Sequence, residues 1–392
     1  MSTDAGDTAA GSPNYQRLDV GDPAPWFSQR TSQNARFVMD VAAGRYIVLG
    51  FYGSAGEPAG RAAIDAVIAN RHLFDDTKAA FFGVSIDPAD EAEGRIADMM
   101  PGIRYFLDFD LGVSRLYGAV PTDARAGQGE LPFRRFWMVL DPTLRIRALF
   151  PFDALERLFG FIAGLPAADL YAGTTLQAPV LFLPNVFEPD FCRYLIDLYE
   201  RHGGEESGFM REVDGKTVAV QDRSHKQRRD YNIEDEDVIA ATRARVRRRV
   251  VPEIQKVHQF LVTRMERYIV CCYDASEGGH FRAHRDNTTK GTAHRRFAVS
   301  INLNDDFDGG EVSFPEYGPR SFKPPPGGAV VFSCSLLHAV SRVTRGRRYA
   351  FLPFLYDDAA ARIREANNQF LGEGIGSYRT APAEGAEAAA PE

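Results

Sequence analysis

Three side chains in the second half of the chain can share one metal ion. His284-Arg285-Asp286 is a His-x-Asp tripeptide. Residues two apart on an extended segment project to the same side, so both side chains can reach one ion. His338 follows the apolar run 329–332 and Ser335-Leu336-Leu337. Two histidines and one carboxylate leave three positions open on a six-coordinate metal. Iron(II) uses such positions for a bidentate cosubstrate and O2. By themselves these three side chains suit several metals. Arg348 lies shortly after His338 and brings a planar guanidinium that pairs bidentately with a carboxylate. Arg345 and Arg347 are its rivals. Two-residue periodicity sets Arg348 with Ala350 and Leu352, opposite Arg347 and Tyr349, and favours it. His280 and His294 fall outside the matched set, and Cys334 reads as a core thiol.

The elements around these residues read as strands. Residues 296–304 alternate, with Phe297, Val299, Ile301 and Leu303 on one face and Ala298, Ser300 and Asn302 on the other. That pattern predicts a sheet with one core face and one face lining a cavity. Gly309-Gly310-Glu311 turns the chain, Pro324-Pro-Pro-Gly-Gly328 forms a rigid turn, and residues 347–356 make the last strand. Pro353 predicts that this strand lies at an edge. Short strands with Gly and Pro turns predict a barrel or jelly roll. Upstream, 188–200 and 235–265 are helical by pattern, the second interrupted near Pro252.

The first block has a different rhythm. Residues 45–52 and 79–87 are buried strands, 61–73 is a helix, and 136–150 is a hairpin around Asp141-Pro-Thr. With Gly21-Asp-Pro-Ala-Pro25, Gly50-Phe-Tyr52 and Arg135 before Phe136-Trp-Met-Val-Leu-Asp141, the block resembles the peroxiredoxin (AhpC/TSA-like) branch of the thioredoxin fold. That family carries a Pro-x-x-x-Thr-x-x-Cys loop. The same positions here hold Gly53, Glu57 and Gly60, and no cysteine precedes Cys192. Peroxidase chemistry needs a thiolate, so this block is a scaffold or recognition module without redox activity of its own.

The second block resembles the prolyl 4-hydroxylase-like Fe(II)/2-oxoglutarate oxygenases. The carrying motifs are Tyr273, Gly278-Gly-His-Phe-Arg-Ala-His284-Arg-Asp286, Ile301-Asn-Leu-Asn304, Phe307-Asp-Gly-Gly-Glu-Val-Ser-Phe-Pro315, Pro326-Gly-Gly-Ala-Val-Val-Phe332, and Leu337-His338 through Arg348. The resemblance implies a double-stranded β-helix with supporting helices. It implies His284, Asp286 and His338 as catalytic iron ligands, Arg348 as the clamp on 2-oxoglutarate, and Tyr273 and Asn302 as further cosubstrate contacts. It implies Fe(II), 2-oxoglutarate, O2 and ascorbate as reductant. In that reaction 2-oxoglutarate is decarboxylated to succinate while an unactivated C–H bond is hydroxylated. Relatives that halogenate lack the carboxylate, so Asp286 favours hydroxylation.

The fold class expected is therefore α+β multidomain: a thioredoxin-like α/β sandwich, then a jelly roll. The expected layout is a disordered start (1–15), the thioredoxin/peroxiredoxin-like domain (16–165), a linker (166–184), the dioxygenase domain (185–378) and a disordered tail (379–392). A formal net charge of −7 gives no overall positive field for nucleic acid or an anionic membrane. No run approaches a membrane span, and the acidic, polar N-terminus is unlike a signal peptide. Cys192, Cys271, Cys272 and Cys334 contain no CxxC. They read as reduced thiols of a cytoplasmic protein. The substrate, whether peptide, protein or small molecule, is not legible. The rival reading is an iron-, O2- or 2-oxoglutarate-responsive binding protein that docks a partner on its first domain.

Overall fold

The computed structural model describes residues 14–127 and 131–380. The expected disordered ends fall outside these apart from 14–15 and 379–380. Two compact units emerge: the chain up to Leu176 with Glu316–Gly318, and Gln177–Pro315 with the chain from Pro319.

The first unit is built on β1 (Tyr46–Gly53), α1 (Pro58–Ala69), β2 (Ala79–Ser85), β3 (Ile103–Leu107), β4 (Phe136–Leu140), β5 (Ile146–Pro151) and α2 (Leu155–Gly164). The five strands run in the order β3-β2-β1-β4-β5. The first three are parallel, and β4 and β5 are antiparallel. β1 and β2 are buried along their whole length, which is why they read as continuous apolar runs rather than alternating ones. Helix α1 begins earlier than expected because Pro58 occupies its first turn, where a missing N–H costs nothing. Ala63, Ile64 and Val67 bury its inner face.

The second unit opens with α3 (Pro189–His202), whose Cys192, Leu195, Leu198 and Tyr199 face the core and which ends at Gly203 with φ +73°. Strand β6 (Arg229–Asn232) follows, then α4 (Glu236–Arg249) and α5 (Val251–His258). Asp235 caps α4 by accepting from the Asp237 and Val238 N–H groups. The helical stretch expected to reach residue 265 stops at His258. Gln259 adopts a left-handed conformation there, and Arg264–Glu266 is already a strand, β7. β8 (Ile269–Asp274), β9 (His280–His284), β10 (Phe297–Asn302), β11 (Ala329–Ser333), β12 (His338–Val340), β13 (Arg347–Phe351) and β14 (Phe354–Tyr356) complete the frame.

These strands form two sheets. The larger runs β7-β14-β10-β13-β8-β6, with β11 beside β10. The smaller holds β9 and β12 at its centre. The last strand is not an edge strand. It breaks at Leu352-Pro353 into β13 and β14, each paired on both sides. Pro353 is tolerated because its missing N–H falls in the break, while its carbonyl accepts from Val299 N–H. The core of this unit is its own, and includes Leu195, Val246, Val299, Ile301 and Phe351. The first unit's core gathers Val48, Ile64, Phe81, Trp137 and Ile162. All four cysteines are free and buried. No helix among the described residues is long and apolar enough to cross a membrane.

Candidate functional site

A cavity between the two sheets of the second unit gathers the residues singled out first. His284 ends β9 and His338 begins β12, and the two are register partners across the ladder. Asp286 follows two residues later, its N–H held by the Cys334 carbonyl. One ligand atom from each of the three lies within 4.8 Å of the others. His284 Nε2 stands 3.5 Å from Asp286 Oδ1, and His338 Nε2 stands 3.3 Å from Oδ2.

The histidine tautomers follow from their neighbours. His284 Nδ1 lies 2.7 Å from the Arg282 carbonyl, and His338 Nδ1 lies 3.0 Å from the Leu336 carbonyl. A carbonyl only accepts, so each Nδ1 donates to it, and each Nε2 is the nitrogen turned to the shared centre as the ligand atom. Phe281 stacks on the His284 ring at 3.5 Å between centroids and fixes its plane. Burial, then the nearby His338, pushes the His284 pKa down to about 4, which keeps the imidazole in its metal-binding form. Burial alone would raise Asp286, but His338 and His284 beside it hold its carboxyl well below the usual range. Two imidazole Nε2 atoms and a carboxylate are the donor set of a hard-to-borderline divalent ion.

The opposite wall is the larger sheet. Arg348 on β13 and Tyr273 on β8 are register partners. Arg348 is 1% exposed. Its Nε donates to Asn302 Oδ1 at 3.0 Å and its Nη2 to Ser300 Oγ at 2.8 Å. Its Nη1 has no partner, a buried donor that calls for an acceptor. Of the rival arginines, Arg345 pairs with Asp308 on the surface, and Arg347 pairs with Asp274 and Glu200. Of these three, Arg348 is the one that faces the cavity, as the period-two argument expects. Asn302 gives both amide atoms to protein: Oδ1 to Arg348, and Nδ2 to the Pro324 carbonyl at 2.9 Å. Tyr273 lines the cavity.

Further residues line the cavity, among them Ser300 on the face that the alternation of 296–304 assigns to it. Arg228, Arg267 and Ser300 join Phe281, Val312, Phe332 and Val340 around the cavity. Arg228 Nη2 donates to Asp230 at 2.6 Å, and its Nη1 reaches the Tyr273 hydroxyl at 3.3 Å. In sequence the run from Arg228 to Asn232 reads equally as part of a substrate rim or as a structural salt-bridge cluster, while nothing in the sequence marks Arg267. His280 and His294 stay out of the triad; His294 Nε2 pairs with Glu266 at 3.1 Å.

In the first unit, the loop where a peroxiredoxin would carry its thiol is pinned. Asp90 accepts from the Ala55 N–H, and Ser54 Oγ donates to Asp87 at 2.6 Å. Arg135 pairs with Glu57. A Cβ on Gly60 would lie 2.0 Å from the Ser54 carbonyl oxygen, so the position has no room for a cysteine.

Comparison with known proteins bears on both units. A model of the 2OG-Fe(II) oxygenase superfamily matches residues 263–356, and one of the AhpC/TSA family matches residues 20–153. A PKHD-type hydroxylase of Gluconobacter oxydans, GOX0559, is 42% identical over 82 residues, which cover 19% of this chain and 36% of that protein. A PKHD-type hydroxylase of Cupriavidus metallidurans is 29% identical over 192 residues, covering 43% of this chain and 74% of that protein. A crystal structure of a Pseudomonas putida prolyl-4-hydroxylase covers 48% of this chain and 95% of its own, with 18% identity and a TM-score of 0.35. The chain spans about a third of the first of these relatives. The C-terminal unit carries a 2OG-Fe(II) oxygenase domain of the double-stranded β-helix kind, and the N-terminal unit a thioredoxin-fold domain of the AhpC/TSA kind.

Proposed function

We propose that the C-terminal unit is a 2-oxoglutarate-dependent hydroxylase acting at an unactivated C–H bond. One observation carries the reading: the three-ligand cluster shares its cavity with a buried guanidinium whose Nη1 has no partner. Iron(II) bound by His284, Asp286 and His338 supplies the activation of O2 that the protein's own side chains lack. Arg348 turns its open Nη1 to the distal carboxylate of 2-oxoglutarate, and Ser300 and Asn302 hold the guanidinium in place. Asn302 acts by positioning Arg348, since both its amide atoms are engaged. Tyr273 offers its hydroxyl from the same wall. Asp286 fills the position that a halogenating relative would leave open. Phe281, Val312, Phe332 and Val340 keep the surroundings apolar and restrict water.

The substrate is a peptide, protein or small molecule. Four free, buried thiols suit a reducing compartment, and we place the protein in the cytoplasm. The first unit, with Gly60 where a thiolate would stand, serves as a recognition or docking module. The test is succinate release from 2-oxoglutarate with Fe(II), O2 and ascorbate as reductant. Wild type turns over, and His284→Ala falls to background. Stoichiometric iron binding without any turnover, across peptide and metabolite pools, would sink the reading in favour of a sensor.

A further inference from the structure

The cavity carries more positive charge than a divalent metal and 2-oxoglutarate use. Arg228, Arg267 and Arg348 all line it, and Asp286 is the acidic residue among its lining. Asp230 is bound to the first two, accepting from Arg228 Nη2 at 2.6 Å and Arg267 Nη2 at 3.2 Å. Three guanidinium groups therefore meet two carboxylates. A divalent ion and the 2-oxoglutarate dianion cancel each other, so one positive charge remains. Lys226 is not among the lining residues, and its Nζ donates to Ser207 Oγ and the Gly208 carbonyl instead. An uncompensated cation in such a place is costly unless an anion joins it.

The geometry locates the surplus. Arg348 rests on Ser300 and Asn302, and its open Nη1 is the donor assigned above to the cosubstrate. Arg228 is buried, with its Nη groups on Tyr273, Ser207 and Asp230 and its Nε bare. Arg267 differs from both. About a quarter of its side chain, 26%, stays open. Asp230 presents a single oxygen, Oδ2, to both arginines and leaves Oδ1 without a partner. Neither arginine is thus engaged by a full carboxylate fork, the geometry that a guanidinium matches best. The backbone adds an independent mark. Arg267 has φ +72°, the left-handed region, which is unfavourable for a non-glycine residue.

We propose that Arg267, steadied by Asp230 and Arg228, is a second carboxylate-binding site, and that the substrate presents a carboxylate to it. This rests on the metal and 2-oxoglutarate reading and narrows its substrate class. The substrate is a free carboxylic acid, either an amino acid or the C-terminal residue of a peptide, rather than an internal residue of an uncharged segment.

The test uses the full chain loaded with Mn(II), which binds without turnover, and saturating 2-oxoglutarate. L-Alanine, N-acetyl-L-alanine and N-acetyl-L-alaninamide are titrated by calorimetry. We expect at least one of the two acids to bind tenfold or more tightly than the amide. Free alanine ahead of its acetylated form points to an amino acid, and the reverse order points to a peptide C-terminus. Arg267→Gly removes the guanidinium at a backbone angle glycine adopts freely, so the fold persists and the acid's affinity drops at least tenfold. Arg267→Asn, also at ease in that region, gives the same loss. Acids that bind no better than the amide, that bind these variants unchanged, or that displace 2-oxoglutarate overturn the proposal. If 2-oxoglutarate itself fails to bind the Mn(II)-loaded wild type, the hydroxylase reading falls instead, so the two failures are distinguishable.

Discussion

Arg348 is the side chain whose surroundings say most about a ligand. It is buried to 1% exposure, and its Nη2 and Nε rest on Ser300 and Asn302. A hydrogen bond to a charged group contributes about 1.5–3 kcal/mol, and leaving its partner unsatisfied costs more. Arg348→Leu removes both the charge and the fork. The apparent KM for 2-oxoglutarate should therefore rise about a hundredfold, measured by succinate release at saturating iron. Arg348→Lys keeps the charge but not the fork and should fall between. The triad and Arg348 were legible from sequence because strand geometry is simple: Asp286 lies two residues past His284, and Arg348 alternates with Arg347. Arg267 was not, and Arg228 was legible only within a run that reads equally as a substrate rim or a salt-bridge cluster. Their relation to the triad comes from the pairing of β6 with β8 and from a left-handed backbone at residue 267, neither of which a linear pattern displays.

At the level of the elements, two glycine positions carry the argument. Gly310 sits at φ +65°, and a Cβ there would lie 2.9 Å from Val343 Cγ2 and 3.0 Å from Arg348 Cδ. Gly310→Ala should therefore cost about 1–3 kcal/mol in denaturant unfolding. It should also raise the KM for 2-oxoglutarate, because the clamp moves. An unchanged KM would show that the turn does not support Arg348. In the first unit, Gly60→Cys restores the residue type of a peroxiredoxin. Its Cβ would meet the Ser54 carbonyl, in a loop pinned by Asp87 and Asp90. Hydroperoxide consumption should stay at background and stability should fall by about 1–3 kcal/mol. The Gly309-Gly310-Glu311 turn and the alternating strand 297–302 were readable, because φ > 0 and period two are local properties. The placement of Pro353 was misread. A proline marks a missing N–H, and both an edge and a break between β13 and β14 satisfy that mark. Helix α5 ends short of its expected limit because Gln259 turns left-handed, a stop that its residue type does not announce.

On the scale of the whole molecule, the two units hold separate cores, and each accounts for a different part of what the sequence promised. Leu195 is fully buried against the helices and sheet of the oxygenase unit. Ile64 is buried under the parallel strands of the thioredoxin-like unit. Truncating a core leucine or isoleucine to alanine costs about 2–5 kcal/mol, the lost transfer energy plus the cavity left behind. Leu195→Ala should lower the calorimetric transition of the oxygenase unit and weaken iron-dependent succinate release at temperatures near that transition. Ile64→Ala should lower the other unit's transition and leave succinate release in the absence of substrate as it is. A single transition shifted equally by both substitutions would mean that the units unfold as one. The first unit would then be a stabilising partner of the oxygenase rather than a separate docking module, and the loss of its thiol would need an explanation in stability instead of recognition.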